Sequence, residues 1–402
     1  MILLASKDTC TACGACAYVC PRHCIRMSED EIGQTYPIID FESCIECHSC
    51  QKICPVIKPV DGVNTLGFRK PIKTYAAWSN DEEERRTSAS GGIASEVYKY
   101  AISNGYKAAG AVQNSDFTVT MSIAHDIEGI KPFKNSKYVF SSAYSLYPQL
   151  KKLLKYGLKV VVIGLPCQIA AIRKIFKDNE NLLLFDVVCH GVTPFRYLRQ
   201  HINILERRLG KKAYKMSFRD PYAYTYTYTF TLYSADNEMF YAKRTRDGDT
   251  YQYGYHRMIS YRSNCYNCRF AQDMRISDAT LGDYKGLGKL APSSVDERKV
   301  SCILVNTEKG KHFIEKLIEE DKIFAEDRPI LEPIEGDSQL RHPSIKSPAR
   351  IDFEKYISIY EGDFERTMNV VMKRVYRRQR IDGILKLPFR IAKKIYKVLF
   401  QK

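Results

Sequence analysis

The chain has 402 residues, 45% of them apolar and 27% charged, which are ordinary globular proportions with room for two or three domains. Lys and Arg total 62 against 46 Asp and Glu, a formal +16, yet Arg366 to Lys402 alone holds 12 basic residues and one acidic residue, Asp382. The excess is therefore local, and binding of nucleic acid over the whole surface is not supported. Of 14 cysteines, nine lie in the first 54 residues and four between 167 and 268. That distribution excludes an evenly stapled secreted scaffold and points to metal or redox chemistry. Met1 to Ala5 is too short for a signal-peptide core, and the longest apolar stretches, such as Val160 to Leu165, are strand-sized. Both are far from the ~20 residues of a membrane span. The expectation is a cytoplasmic protein, where free thiols persist.

Two runs open the chain. Cys10-x2-Cys13-x2-Cys16-x3-Cys20-Pro21 is repeated after 34 residues as Cys44-x2-Cys47-x2-Cys50-x3-Cys54-Pro55. This is the spacing of a bacterial two-cluster ferredoxin, in which the fourth cysteine of each run ligates the other cluster. The assignment is Cys10, Cys13, Cys16 and Cys54 to one 4Fe–4S cluster, and Cys44, Cys47, Cys50 and Cys20 to the other. Structural zinc is the alternative, but it more often uses two separated CxxC pairs. Cys24 is a ninth thiol with no place in this scheme. The expected division is a two-cluster domain over 1–60 and a linker over 61–75.

Farther on, Arg86-Thr-Ser-Ala-Ser-Gly-Gly92 leads into a helix pattern from Ile93 to Gly105. Amides at such a helix start bind phosphate, and a plain N-cap at Ser88 or Ser90 is the alternative. Val160 to Gly164 reads as a strand that turns through Leu165-Pro-Cys-Gln168 into a helix. That places Cys167 near a helix N-terminus, where its thiolate would be stabilised. Leu182 to Val188 is a second strand, ending in Cys189-His190-Gly191. Cys265-x2-Cys268 follows, with Arg262 before it and Arg269 after it. Cys167, Cys189, Cys265 and Cys268 form a candidate third set; alternatively two are core thiols and the CxxC is a redox or zinc pair. The run from Ala223 to Tyr233 alternates aromatic and threonine and predicts a strand. Neither a G-x-G-x-x-G nor a P-loop pattern occurs, which argues against a nicotinamide Rossmann site and an ATPase.

These motifs, with Ser136-Lys-Tyr-Val-Phe-Ser141, Gly164 to Ala171, Asp186 to Gly191, Ala279-Thr-Leu-Gly-Asp-Tyr284 and Val300 to Gly310, resemble the family of coenzyme F(420) hydrogenase/dehydrogenase beta subunits, here joined to a two-cluster ferredoxin. Some relatives occur in polysaccharide gene clusters. The resemblance implies a multidomain α+β and α/β chain. Its flavoprotein module would have an N-terminal part over 76–155 and a C-terminal part over 156–345; charge and helical periodicity, apart from the resemblance, predict a basic helical tail over 346–402. It implies FAD, held by Ser88, Ser90, Gly91, Gly92, Gly164, Pro166, Gln168 and Gly191, and a third 4Fe–4S cluster on the four mid-chain cysteines. Relatives carry an indole where this chain has Lys285.

The leading expectation is an FAD- and iron–sulfur-dependent oxidoreductase acting on an organic substrate, with His190 and Asp283 as catalytic candidates and a ferredoxin or reduced soluble cofactor as redox partner. Its alternatives are an electron-transfer subunit serving a separate catalytic partner, and a redox-sensing protein without FAD. A homo-oligomer is compatible with either. Leu387 to Phe400 reads as a basic amphipathic helix, the pattern of a segment lying on an anionic membrane or docking on a protein surface.

Overall fold

The computed structural model describes residues 2–57, 67–223, 228–295 and 299–386. The amphipathic segment 387–400 lies outside them, as do 61–66 of the linker and 224–227 of the aromatic run. Among the described residues no helix is long and apolar enough to cross a membrane.

Both N-terminal cysteine runs fold alike. A residue with left-handed backbone, Gly14 at φ 79° and His48 at φ 59°, caps a five-residue helix, Ala15–Val19 and Ser49–Ile53. Each helix ends on an extended cysteine, Cys20 and Cys54. The proline that follows each of them disfavours helical backbone at the residue before it. The antiparallel strands β1 (Ile25–Glu29) and β2 (Thr35–Ile39), in register Ile25 to Ile39, connect the two halves.

The body is built on a nine-stranded mixed sheet. Its strands in chain order are β3 (Lys73–Ser79), β4 (Lys107–Gln113), β5 (Val119–Ala124), β6 (Ser141–Ser142), β7 (Val160–Gly164) and β8 (Leu182–Val187). After the separate strands β9 (Lys215–Ser217), β10 (Thr229–Tyr233) and β11 (Met239–Arg244) come β12 (Ala279–Asp283), β13 (Ser301–Val305) and β14 (Ile323–Asp327). Across the sheet the order is β14-β3-β13-β12-β8-β7-β4-β5-β6, so the stretches 76–155 and 156–345 share one sheet. The central strands β4, β7, β8 and β12 run parallel, and β7 and β8 read as near-continuous apolar runs because both faces are covered. Val161 and Ile163 point to helices Ile93–Ser103 and Glu308–Glu319 on one face. Val160 and Val162 point to helices Leu146–Lys155 and Pro166–Phe176 on the other. The ligand-bearing turns leave the C-terminal ends of β7 and β8, where open α/β sheets hold ligands.

Strands β9 to β11 form a small antiparallel sheet. All five residues of β10 are buried, so its described part shows no solvent-facing side of rings. Helix Phe195–Leu209 packs on this sheet, as do Pro348–Ile359 and Phe364–Leu385 from the stretch read as a basic tail. Phe353, Phe364, Met368 and Val371 are fully buried, so the first part of that stretch belongs to the body. Its apolar positions 364, 368, 371 and 372 follow the helical period, with the basic residues on the remaining faces.

A buried bracket holds this unit together. His201 meets Asp249 at 2.9 Å through Nε2 and Glu365 at 2.5 Å through Nδ1. Although burial lowers its proton affinity, the two carboxylates outweigh that and raise the imidazole to about 10. The folded state therefore binds a proton that the unfolded chain releases near 6.5. This contribution to stability is full below about pH 6.5 and is lost as the pH rises toward about 10. His201→Leu is expected to cost about 3–5 kcal/mol at neutral pH by leaving two buried carboxylates unpaired. Its melting temperature should approach that of the wild type as the pH is raised through that window. A difference independent of pH would show that the imidazolium contributes nothing.

Candidate functional site

Cys10, Cys13 and Cys16 each feel the charge of Cys54. Cys20 feels Cys47, and Cys50 feels Cys44 and Cys47. The thiols thus gather with the fourth member of each run crossed over. Cys24 Sγ lies 3.3 Å from Cys20 Sγ. Cys47 is exposed, whereas Cys10 and Cys20 are buried.

The mid-chain thiols converge as well. Cys167 sits in the first turn of helix Pro166–Phe176, Cys189 two residues beyond β8, Cys265 in a short turn over Ser263–Asn267 and Cys268 at its extended end. All four line one small cavity, and Cys13 from the N-terminal unit shares its wall. The Tyr147 hydroxyl donates to the Cys13 carbonyl at 2.6 Å and fixes that approach. Burial first, then the neighbouring thiols, pushes Cys265 up to about 11 and holds Cys167 and Cys189 well above the usual thiol range. The helix start at Cys167 does not offset this, so the expected stabilisation of a free thiolate there is not realised.

Twelve cysteines with no disulfide among them, in three sets of four, fit 4Fe–4S cubanes by donor chemistry. Each supplies four soft sulfur ligands of the kind a cubane takes. Among the described residues no three His, Cys, Asp or Glu gather closely enough for a single metal ion. A cubane carries its thiolates on the outside of a cage and needs no such gathering.

A second cavity, of about 790 Å³, is bounded by the ends of β7, β8 and β12 and by the start of helix Ile93–Ser103. It shares Cys189, His190 and Gly191 with the thiol cavity. Ser88, Ser90, Gly92, Gly164 and Gln168 line it too. Two residues of the expected set do not. The Gly91 amide donates to Ser301 Oγ at 2.9 Å, with its α-carbon packed on the Ala77 carbonyl. Pro166 faces the thiol cavity. Gly92, at φ 88°, caps the helix, so neither Ser88 nor Ser90 does. Their hydroxyls instead donate to Glu84 at 2.9 Å and to the Val300 carbonyl at 3.0 Å. Gln168 donates to Ser141 and accepts from the Leu165 amide, bracing the turn before Cys167.

His190 lies 2.9 Å from Lys285 Nζ, and Lys285 pairs with Asp337 at 2.9 Å. Asp283 pairs with Arg219 at 3.1 Å. Both catalytic candidates thus line the large cavity, each beside a cation. Asp186 is fully buried, paired with Arg275 at 2.7 Å and with Ser277, and lines neither cavity. Sequence reasoning missed five cations of the wall, Lys99, Lys131, Lys134, Lys137 and Arg219; Lys137 lies inside the Ser136 to Ser141 motif. The Lys137 ammonium donates to the carbonyls of Phe133, Lys134 and Asn135, and burial lowers it to about 8.

Comparison with known proteins gives two family matches. Residues 9–57 match the 4Fe-4S dicluster domain, and residues 157–329 match the family described as the C terminus of the coenzyme F420 hydrogenase/dehydrogenase beta subunit. A subunit of the F(420)H(2) dehydrogenase of Methanosarcina mazei is 26% identical over 187 residues, 44% of this chain and 51% of that protein. The coenzyme F420-dependent sulfite reductase of Methanocaldococcus jannaschii is 28% identical over 176 residues, 43% of this chain and 26% of that protein. This chain spans about half the length of the first relative and about a quarter of the second. A chain of the F420-reducing NiFe hydrogenase complex of Methanosarcina barkeri superposes with a TM-score of 0.43 and 18% identity, covering 78% of this chain and 94% of that one.

These matches correct the leading expectation. The family and both curated relatives are named for coenzyme F420, and one relative is part of a dehydrogenase; none is named for FAD or for polysaccharide synthesis. The reading as an FAD-dependent enzyme is therefore set aside. Residues 9–57 are thus similar to a 4Fe–4S dicluster domain, and residues 157–329 to the C-terminal region of coenzyme F420 hydrogenase/dehydrogenase beta subunits.

Proposed function

We propose that this chain is an iron–sulfur electron-transfer subunit of a coenzyme F420-linked oxidoreductase, working with a separate catalytic partner. One observation carries the reading: the third thiol set lies between the N-terminal unit and the large cavity. It shares a wall with Cys13 on one side, and Cys189, His190 and Gly191 on the other. In this reading Cys167, Cys189, Cys265 and Cys268 hold a third 4Fe–4S cluster. Clusters on these thiolates would supply one-electron chemistry at low potential.

The chain's own residues set the geometry. The exposed Cys47 side of the N-terminal unit faces solvent and is open to a redox partner. Tyr147 fixes the Cys13 loop on the body, and Gln168 braces the Cys167 turn. Six lysine and arginine side chains, Lys137 among them, against the three carboxylates Glu84, Asp283 and Asp337 give the large cavity a net cationic wall suited to an anionic coenzyme, which here is the deazaflavin for which the relatives are named.

The test is to mix anaerobically reduced, iron-loaded protein with coenzyme F420 and follow binding and deazaflavin absorbance. Saturable binding is expected, with one coenzyme reduced for every two clusters oxidised and the protons drawn from solvent, because deazaflavin takes up an electron pair and each 4Fe–4S cluster gives one electron. Absence of both would reject the reading. Lys137→Met removes a wall cation held by backbone carbonyls alone. It is expected to weaken coenzyme binding about tenfold, or ~1.4 kcal/mol, with iron content unchanged. Unaltered affinity would place the coenzyme elsewhere.

A further inference from the structure

Arg262 is 1% exposed, and among the described residues no carboxylate pairs with it. Its Nε donates to Asn264 Oδ1 at 3.1 Å, and its Nη2 to the carbonyls of Thr35 at 2.9 Å and Cys10 at 3.4 Å. Its Nη1 is buried with no partner. The rings of Tyr36 and Phe140 stand 5.3 and 4.9 Å from the guanidinium. They favour a cation through their faces but bring no negative charge. The other buried arginines are treated differently. Arg275 has Asp186 at 2.7 Å, Arg328 has Glu332 at 2.8 Å, Arg350 has Glu354 at 3.0 Å, and Arg173 has Asp178. An uncompensated buried charge costs several kcal/mol, so Arg262 needs a countercharge that the protein atoms do not supply.

Its position says where that charge lies. The guanidinium reaches the Cys10 carbonyl in the N-terminal unit, while the Arg262 carbonyl accepts from the Cys265 amide at 3.0 Å. Arg262 therefore stands between the set Cys10, Cys13, Cys16 and Cys54 and the set Cys167, Cys189, Cys265 and Cys268. Asn264, which holds its Nε, lines the mid-chain thiol cavity. We propose that Arg262 is a positioning residue whose countercharge is the pair of anionic iron–sulfur sites on either side, and that it raises the reduction potential of both. Reduction adds a negative charge to each site beside a fixed cation in a region of low dielectric. The inference rests on reading the mid-chain thiols as cluster ligands.

The test is a reductive titration of anaerobically prepared, full-length protein followed by electron paramagnetic resonance, with iron counted in parallel. In Arg262→Met, the two flanking clusters should be about tenfold less reduced at a fixed potential, a shift of about 59 mV for a one-electron couple. The cluster on Cys20, Cys44, Cys47 and Cys50 should not move. Arg262→Lys, which keeps the charge and loses the fork, should stay within about threefold of the wild type. Unmoved potentials in fully loaded Arg262→Met overturn the proposal, as does an equal shift of all three clusters. If Arg262→Met does not retain iron, Arg262→Gln replaces it. Iron loss in both neutral variants with retention in Arg262→Lys supports the need for charge, whereas loss in all three shows a purely structural role and overturns it. Failure of the cluster reading is distinct, because it appears as missing iron in the wild type.

Discussion

Replacing Cys265 by serine is expected to lower the iron content from about twelve to about eight atoms per chain, at four per cluster. Cys265 belongs to the mid-chain set and to no other. The N-terminal unit keeps its eight thiols in Cys265→Ser and should retain its two spectral signals. Reduction of deazaflavin at the large cavity should fall to background, because the thiol set joining the two regions is broken. Cys47→Ser provides the contrast. It disturbs the solvent-facing end of the N-terminal unit, so it should slow exchange with an external redox partner and leave coenzyme binding intact. Equal iron in Cys265→Ser and wild type would remove the mid-chain cysteines from metal binding.

Gly191→Ala should be strongly damaging to both fold and mid-chain site. Gly191 has φ +143°, and an added Cβ would lie 2.3 Å from the Tyr261 ring. Tyr261 is 2% exposed and packs with Tyr255 and Cys265, so it has little room to withdraw. Backbone strain of about 1–3 kcal/mol and overpacking of about 1–3 kcal/mol together predict a loss of about 2–6 kcal/mol. Gly191 stands two residues from Cys189 and lines both cavities, so the variant should also lose iron from the mid-chain set. Thermal unfolding and iron analysis check both effects. Gly105→Ala has nothing within 4 Å of the added carbon and separates the cost of a positive φ from that of the clash.

The parts legible in the sequence are those fixed by local spacing. In each N-terminal run, Cys-x3-Cys spans one five-residue helix between a left-handed cap and a proline-terminated cysteine. Short-range geometry therefore brings each group of thiols together. The strand ends at Cys167 and Cys189 are likewise readable, because uninterrupted apolar runs mark buried parallel strands. The packing of residues 348–372 is less visible. Its basic residues dominate the charge count, although Phe364, Met368 and Val371 hold the period that buries it. The cavity wall needs the fold: Lys137 and Arg219 are 82 positions apart in sequence and come to one cavity only in the folded chain. Arg262 stands out in the sequence only as a neighbour of the CxxC pair. Its missing carboxylate is a property of three dimensions, as is the turning away of Gly91 and Pro166 from the large cavity.

The most direct measurement is a spin count on the fully reduced, anaerobically prepared wild type, with iron and sulfide determined on the same sample. Three 4Fe–4S clusters predict about twelve iron atoms and about three unpaired electrons per chain, with Cys167, Cys189, Cys265 and Cys268 protected from alkylation until the iron is removed. About eight iron atoms and about two spins in fully loaded protein, with those four thiols open to alkylation, would contradict the account. The N-terminal unit would then have no redox connection to the cavity.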